Sequence, residues 1–202
     1  MAKVKLTKTA LKQQRDSMKQ FLRFLPTLQL KKQQLQLEMR NCLERIRANE
    51  RKEQALKDSL SSWIALFGDD SAIERIKGYV LLSGLETGSL NIAGVNVPVY
   101  KSASFTVKPY DLAQEELWVD DAIETVKRII EMQAERDIIR EQYRLIAQEL
   151  RVTTQRVNLF EKVKIPECKE NIRTIQIYIG DMDTAAVGRS KIAKRKLQES
   201  AA

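Results

Sequence analysis

The sequence contains no histidine. That absence removes Ser-His and Cys-His nucleophilic pairs and every His-ligated metal at once, because no other unperturbed side chain titrates near neutral pH. Two cysteines, Cys42 and Cys168, cannot complete a four-ligand thiolate zinc site without histidine. Neither a G-x-x-x-x-G-K-S/T nor a G-x-G-x-x-G run is present, so no Gly-rich phosphate cradle is encoded. No catalytic residue, no metal site and no cofactor are therefore expected. Seven Gly, four Pro and 6% aromatic residues in 202 positions are too few turn formers and core rings for a sandwich, a barrel or an α/β sheet. No apolar run approaches the ~20 residues that a membrane span requires. The opening Met1-Ala2-Lys3-Val4-Lys5 lacks the apolar core of a signal peptide. A soluble, cytoplasmic chain with no direct membrane insertion is expected.

What is present is charge and helical periodicity. Charged residues make up 31% and apolar residues 43%, with 35 Lys+Arg against 27 Asp+Glu for a formal charge of +8. From Val4 an apolar seam steps by three and four through Leu11, Met18, Phe21, Leu25, Leu28, Leu35, Met39, Cys42, Ile46, Leu56, Leu60, Trp63 and Phe67. Only Thr7, Gln14, Lys32, Asn49 and Glu53 interrupt it, the pattern of a narrow coiled-coil seam. Residues 1–67 are read as one long helix, roughly 95 Å at 1.5 Å per residue, bent at Pro26 with its register kept on both sides.

Residues 68–110 change character. Gly68-Asp69-Asp70 ends the helix, and Ser71-Ala72-Ile73-Glu74 has capping-box spacing for a short helix fading near Gly78 or Gly84. Leu90 to Tyr100, then Ser104 to Val107, alternate as a β-hairpin does, with Gly94 and Asn96 both able to supply its turn and Pro98 at a sheet edge. Pro109-Tyr110-Asp111 reads as a stop and an N-cap, with Glu115 and Glu116 favouring the start of the new helix. A second seam then runs over 111–188 through Trp118, Ala122, Ile129, Met132, Ile139, Tyr143, Ile146, Leu150, Val157 and Phe160. It slips near Pro166 and resumes as Ile165, Cys168, Ile172, Ile175, Ile179, Met182 and Ala186, which marks a stutter or kink. Two seams separated by a hairpin bury each other by folding back. The fold class is thus all-α: two long helices in an antiparallel coiled coil with a short central helix and a β-hairpin at its closed end. If Phe67 faces Trp118, Cys42 faces the neighbourhood of Tyr143, and Cys168 lies ~37 Å further along, so both cysteines are reduced core thiols.

Lys5, Lys8 and Lys12 form a basic cluster near one chain end, and Arg189, Lys191, Lys194, Arg195 and Lys196 form another in a tail over 189–202. Folding back places both at the open tip, where their fields add. A solvated face, a nucleic-acid site and an acidic protein partner are all compatible with such clusters. The lack of aromatic rings for base stacking argues against nucleic acid. The nearly uncharged hairpin either caps the coil or offers a docking patch.

Thr153-Thr154-Gln155-Arg156-Val157-Asn158-Leu159-Phe160-Glu161-Lys162-Val163-Lys164-Ile165-Pro166 resembles the C-terminal signature of the D-subunit family of V-type and A-type rotary ATPases, T-x-R-R-V-N-A-L-E-x-V-x-I-P. Lys5 to Lys12 and Leu30 to Leu35 are similar to that family's first helix, and Gly94-Val95-Asn96-Val97-Pro98 sits at its central excursion. Gln155 departs from the usual Arg pair, and the chain from Gly180 onward lacks the family's Glu-rich and Phe-Phe stretch. The resemblance implies a non-catalytic rotor shaft, the central stalk, that couples ATP hydrolysis or synthesis to ion translocation and is bound peripherally to the membrane through the complex. Implied partners are the catalytic and non-catalytic head subunits (A and B), the small F protein of the stalk and a funnel-shaped subunit over the membrane ring. Within it, the basic residues at both ends would touch the head sleeve. Arg156, Val157, Asn158, Glu161, Ile165 and Pro166 carry the signature, and Arg156, Asn158 and Glu161 would fix helix pairing or contact the small stalk protein. A prefoldin-like holding chaperone and a basic coiled-coil nucleic-acid binder are the competing classes.

Overall fold

A computed structural model describes residues 5–67, 78–109 and 119–200, with the side chains of 60–67 outside the description. The short helix expected at Ser71, the Asp111 cap and the Phe67–Trp118 pairing lie outside the described residues. Helix α1 spans Lys8–Phe67. It starts there because Thr7 acts as its cap: the Ala10 N–H donates to Thr7 Oγ1 at 3.2 Å, and the Leu11 N–H closes the first turn on the Thr7 carbonyl at 3.0 Å. The chain continues as strands β1 (Val80–Ile92) and β2 (Val95–Val107) and helix α2 (Val119–Leu159). A π-helical turn over Phe160–Lys164 then leads into α3 (Ile165–Ser200). No helix among the described residues is long and apolar enough to cross a membrane.

These elements form two compact units, residues 33–151 and residues 1–32 with 152–202. The first, called here the hairpin unit, has its core where α1, α2 and β2 meet. Leu35, Cys42, Val97, Ile139 and Ile146 are buried together, with Met39, Ile46 and Tyr143 against them. Contact partners descend along α2 as they ascend along α1: Cys42 meets Gln142, Asn49 meets Glu135, and Glu53 meets Gln133 and Arg136. Cys42 therefore lies beside Tyr143, as the seam arithmetic expects, and both cysteines are free and buried. A second cluster joins Val80, Val119, Ala122 and Ile123 with Phe105 and Val107.

The hairpin is longer than its sequence signal. Antiparallel pairing runs from Val80↔Val107 to Ile92↔Val95, so Gly84 lies inside β1 and does not end a helix. The reason is close approach: a Cβ on Gly84 would stand 2.7 Å from Ser104 Oγ, and the register shifts beside it, between Leu82 and Gly84. The turn is Ala93-Gly94, with φ of 50° and 83°. Two central residues of positive φ suit the right-handed twist of a tight hairpin. Asn91 holds the turn by accepting from the Gly94 N–H at 3.0 Å and donating to Asn96 Oδ1 at 2.6 Å.

In the second, terminal unit, the start of α1 lies against the end of α2 and α3. Phe21 and Phe160 pack with ring centroids 5.0 Å apart, and Asn171 reaches Gln14 at 3.5 Å. Helix α1 continues through Pro26, with Phe21, Leu25 and Leu28 half-buried on both sides of it. The slip expected near Pro166 is the π-helical turn, in which the Ile165 N–H bonds the Phe160 carbonyl five residues back. Proline has no N–H to give Lys162, and its ring needs room against that carbonyl. A widened turn just before it supplies the room and keeps Ile165 and Cys168 buried. Burial then stops early. Ile175 is buried and Ile179 half-buried, but Met182 and Ala186, placed in the seam by periodicity, are exposed. Lys8, in the first turn of α1, reaches Asp183 at 4.0 Å, so α3 beyond this point has passed the beginning of α1. Residues 189–200, read from composition as a separate tail, continue α3 to Ser200.

Candidate functional site

Signature residues fall into two sets. Val157 and Ile165 are buried, at 3% and 7% exposure, with Thr153 at 1%. These residues lie on the covered side of the helix. Arg156, Asn158, Glu161 and Pro166 are exposed. Arg156, Asn158 and Glu161 thus lie outside the buried seam, as ordinary solvated coil positions also do. Before the π-helical turn the division is ordinary helical spacing: Thr153 and Val157, four apart, share one face, and Arg156 and Asn158 lie to either side of it. Two apolar side chains also lie outside, Leu159 and Val163, at 44% and 49% exposure. Periodicity passes over both, since neither lies on the seam, and an off-seam apolar residue inside a family signature is the signal that finds them. Lys164 closes the turn with an ion pair to Glu167 at 3.0 Å.

The basic residues at the two ends belong to the terminal unit and are all exposed: Lys5, Lys8 and Lys12 at the start of the chain, Arg189, Lys191, Lys194, Arg195 and Lys196 on α3. Lys8 is drawn toward Asp183, and Arg195 pairs with Glu199 at 3.5 Å. Around these cations α3 exposes Val187, Ile192 and Leu197 at 56%, 54% and 69%.

On the hairpin unit, β1 and α2 border an open groove of about 490 Å³ lined by Leu82, Leu85, Pro98, Ile130, Ala134 and Ile138, with Asp137 and Glu141 on it. Leu81 and Leu90 are also exposed on β1. Gln142 ties the hairpin to α2 by donating to the Pro98 carbonyl at 2.5 Å. Tyr100 donates to Glu131 at 2.5 Å. Burial, with that carboxylate beside it, pushes the phenol up to about 12, so it stays a neutral donor.

Beneath this surface lies a polar layer. Glu53, only 5% exposed in its side chain, accepts from Gln133 at 3.0 Å and from Lys57 at 2.7 Å and pairs with Arg136. The hydrogen bonds from Gln133 and Lys57, with Arg136 adding charge, hold its carboxyl below the usual glutamate range against the opposing cost of burial. Burial raises the Cys42 and Cys168 thiols, which lowers their reactivity.

The chain matches the sequence model of a family described as the D subunit of ATP synthase over residues 10–195. It is 45% identical over 197 residues to the V-type ATP synthase D subunit of Borreliella burgdorferi, covering 98% of this chain and 96% of that one. It is 32% identical over 202 residues to the protein of the same name from Chlamydia muridarum, covering 98% of each. With that of Chlamydia felis the identity is 30% over 198 residues, covering 98% and 95%.

Proposed function

The chain belongs to the ATP synthase D-subunit family, and on that premise we propose that it is the central rotor shaft of a V-type rotary ATPase. As a shaft it carries no catalytic group. It couples nucleotide turnover in the soluble head to ion movement in the membrane ring, from a cytoplasmic, peripheral position. The observation that carries this reading is the end-to-end family match of a chain whose two seams meet in opposite directions. Antiparallel coiled-coil pairing is the arrangement that would let such a shaft pass torque. A shaft of this kind works by asymmetry: within a ring of alternating catalytic and non-catalytic head subunits, each angular position favours a different conformation of the surrounding sites. By reciprocity, nucleotide binding and release bias the shaft angle.

The exposed end of α3, with Arg189, Lys191, Lys194, Arg195 and Lys196 among Val187, Ile192 and Leu197, supplies the contact with the head, joined by Lys5, Lys8 and Lys12. Long-range attraction brings it to an acidic inner surface, and the apolar residues provide burial. Arg156, Asn158 and Glu161, with Leu159 and Val163 beside them, bind the small F protein of the stalk. The apolar groove of the hairpin unit serves as a docking patch toward the membrane side, where the funnel-shaped subunit sits.

The test is reconstitution. Replacing the five C-terminal cations by Gln lowers ion pumping per ATP hydrolysed while the purified chain keeps its helicity. Unchanged hydrolysis and pumping would remove the head contact from this cluster. Copurification with one copy per head ring supports the shaft; capture of unfolded proteins or of nucleic acid in place of head subunits would support the chaperone or the nucleic-acid binder.

A further inference from the structure

In the hairpin unit, every polar break in the α1 seam is answered by a polar group across the interface. Along α1 the seam positions, each buried or half-buried, are Leu35, Met39, Cys42, Ile46, Asn49, Glu53 and Leu56; along α2 they include Ile129, Met132, Arg136, Ile139, Tyr143, Ile146 and Leu150. Both rows are apolar at heptad spacing except at Asn49 and Glu53 on one side and Arg136 on the other. These exceptions meet. Glu53 pairs with Arg136, Gln133 donates to Glu53 at 3.0 Å, and Asn49 donates to Glu135 at 3.0 Å.

We propose that the Asn49–Glu53–Gln133–Glu135–Arg136 layer is a register lock that fixes how far α1 and α2 are slid past each other, at the expense of stability. Two observations separate this role from simple stabilisation. The layer is not fully satisfied: Asn49 Oδ1 and Arg136 Nε are buried without a partner among the described residues. A buried ion pair with unpaired polar atoms gains little over well-packed apolar residues of the same size, whereas a mismatch that strands one charge is severe. The flanking seam is also repetitive. A slide of one heptad, about 10 Å along the helix, still sets apolar residues against apolar residues over most of its length. The layer forbids it, because the same slide sets Glu53 against Ile129 and Arg136 against Ile46. The terminal unit repeats the device on a smaller scale, where Gln14, another break in the seam, is met by Asn171. For a shaft under torque, a register that cannot creep keeps angle and height in fixed relation; the lock itself does not depend on the rotor reading.

The experiment uses the full chain with Cys42→Ala and Cys168→Ala and spin labels on Arg47→Cys and Asp137→Cys, both exposed positions. The unchanged layer gives one distance. Asn49→Leu/Glu53→Leu/Arg136→Leu keeps helicity and a thermal midpoint no lower than the parent, and adds a second distance population from chains slid by about 10 Å. One unchanged, narrow distance in that variant would overturn the proposal and assign the register to the hairpin, through contacts such as Gln142 on Pro98. The reciprocal swap reads the same device without removing its polarity. Arg136→Glu alone produces the second population, and adding Glu53→Arg returns the single distance; a single distance in both would equally overturn the lock.

Discussion

The middle and the end of this chain both carry large apolar side chains, with opposite outcomes. Leu35, Ile139 and Ile146 in the hairpin unit are at most 1% exposed, while Met182, Val187, Ile192 and Leu197 on α3 are 47–69% exposed. Hydropathy alone does not distinguish them. The difference is whether the chain supplies a partner: α2 and β2 cover α1 in the first case, and α3 has passed the start of α1 in the second. A large apolar side chain in sequence therefore declares a surface that wants covering, and only the structure says whether the cover comes from within.

The largest expected effect follows from that contrast. Ile146→Ala or Leu35→Ala should cost about 2–5 kcal/mol of unfolding free energy, since each leaves a cavity in a closed core. Ile192→Ala should lie within about 0.5 kcal/mol of the parent, because its side chain is already in water. Urea unfolding of the isolated chain measures both. Comparable losses at the two sites would mean that α3 is covered within the free chain, and the comparison would fail. The two thiols sharpen it further, since Cys42 lies in one unit and Cys168 in the other. Leu35→Ala should speed alkylation of Cys42 and leave Cys168 unaffected; equal acceleration would show the units opening as one.

Much of this is legible in the sequence because a coiled-coil seam is a local rule. Every position of the row read from sequence between Leu11 and Leu56, including the breaks at Gln14, Lys32, Asn49 and Glu53, is partly or fully buried, with Ser17, Lys31, Glu38 and Leu43 half-buried beside it. The second seam is less legible. Arg136, Gln142 and Thr153 are inside, yet they look like gaps because their polarity hides burial that only a partner makes tolerable. Arg136 sits seven residues from both Ile129 and Tyr143, and that spacing is the available clue. The first half of β1 escapes the sequence reading for another reason. Gly84, Thr87, Gly88 and Ser89 make a weak strand signal, and their place in the ladder is set by β2. The slip near Pro166 is legible as a change of register, but that it takes the form of a π-helical turn over Phe160–Lys164 is something no periodicity specifies.

A smaller, pH-dependent effect probes the polar layer. The folded pKa of Glu53 is lowered; its stabilisation is therefore fully present above the ordinary glutamate range. It is lost as pH falls through the lowered folded value. The groups facing it are Lys57 on its own helix and Gln133 and Arg136 across the interface, with Asn49 and Glu135 adjoining. The parent should lose more stability between about pH 5 and pH 3 than Glu53→Gln does. Parallel losses in the two proteins would place the acid sensitivity elsewhere.

Glycines give the finest test, because the same substitution should change sign between the regions. At Gly84 an added Cβ meets Ser104 Oγ at 2.7 Å, and the hydroxyl that would have to move is donating to the Gly84 carbonyl at 3.2 Å. Gly84→Ala should destabilise by about 1–3 kcal/mol as the hairpin yields to the overpacking. At Gly180 and Gly188 nothing lies within 4 Å, and both are inside α3, where glycine costs roughly 0.5–1 kcal/mol relative to alanine. Gly188→Ala should therefore stabilise the free chain, read as a higher thermal midpoint and slower exchange of the α3 amides. Retaining glycine in an exposed helix forgoes that gain, which makes sense where another surface must come close to the backbone. If Gly188→Ala stiffens the free chain and also leaves assembly with the head unaltered, close approach at this point is not what the glycine serves.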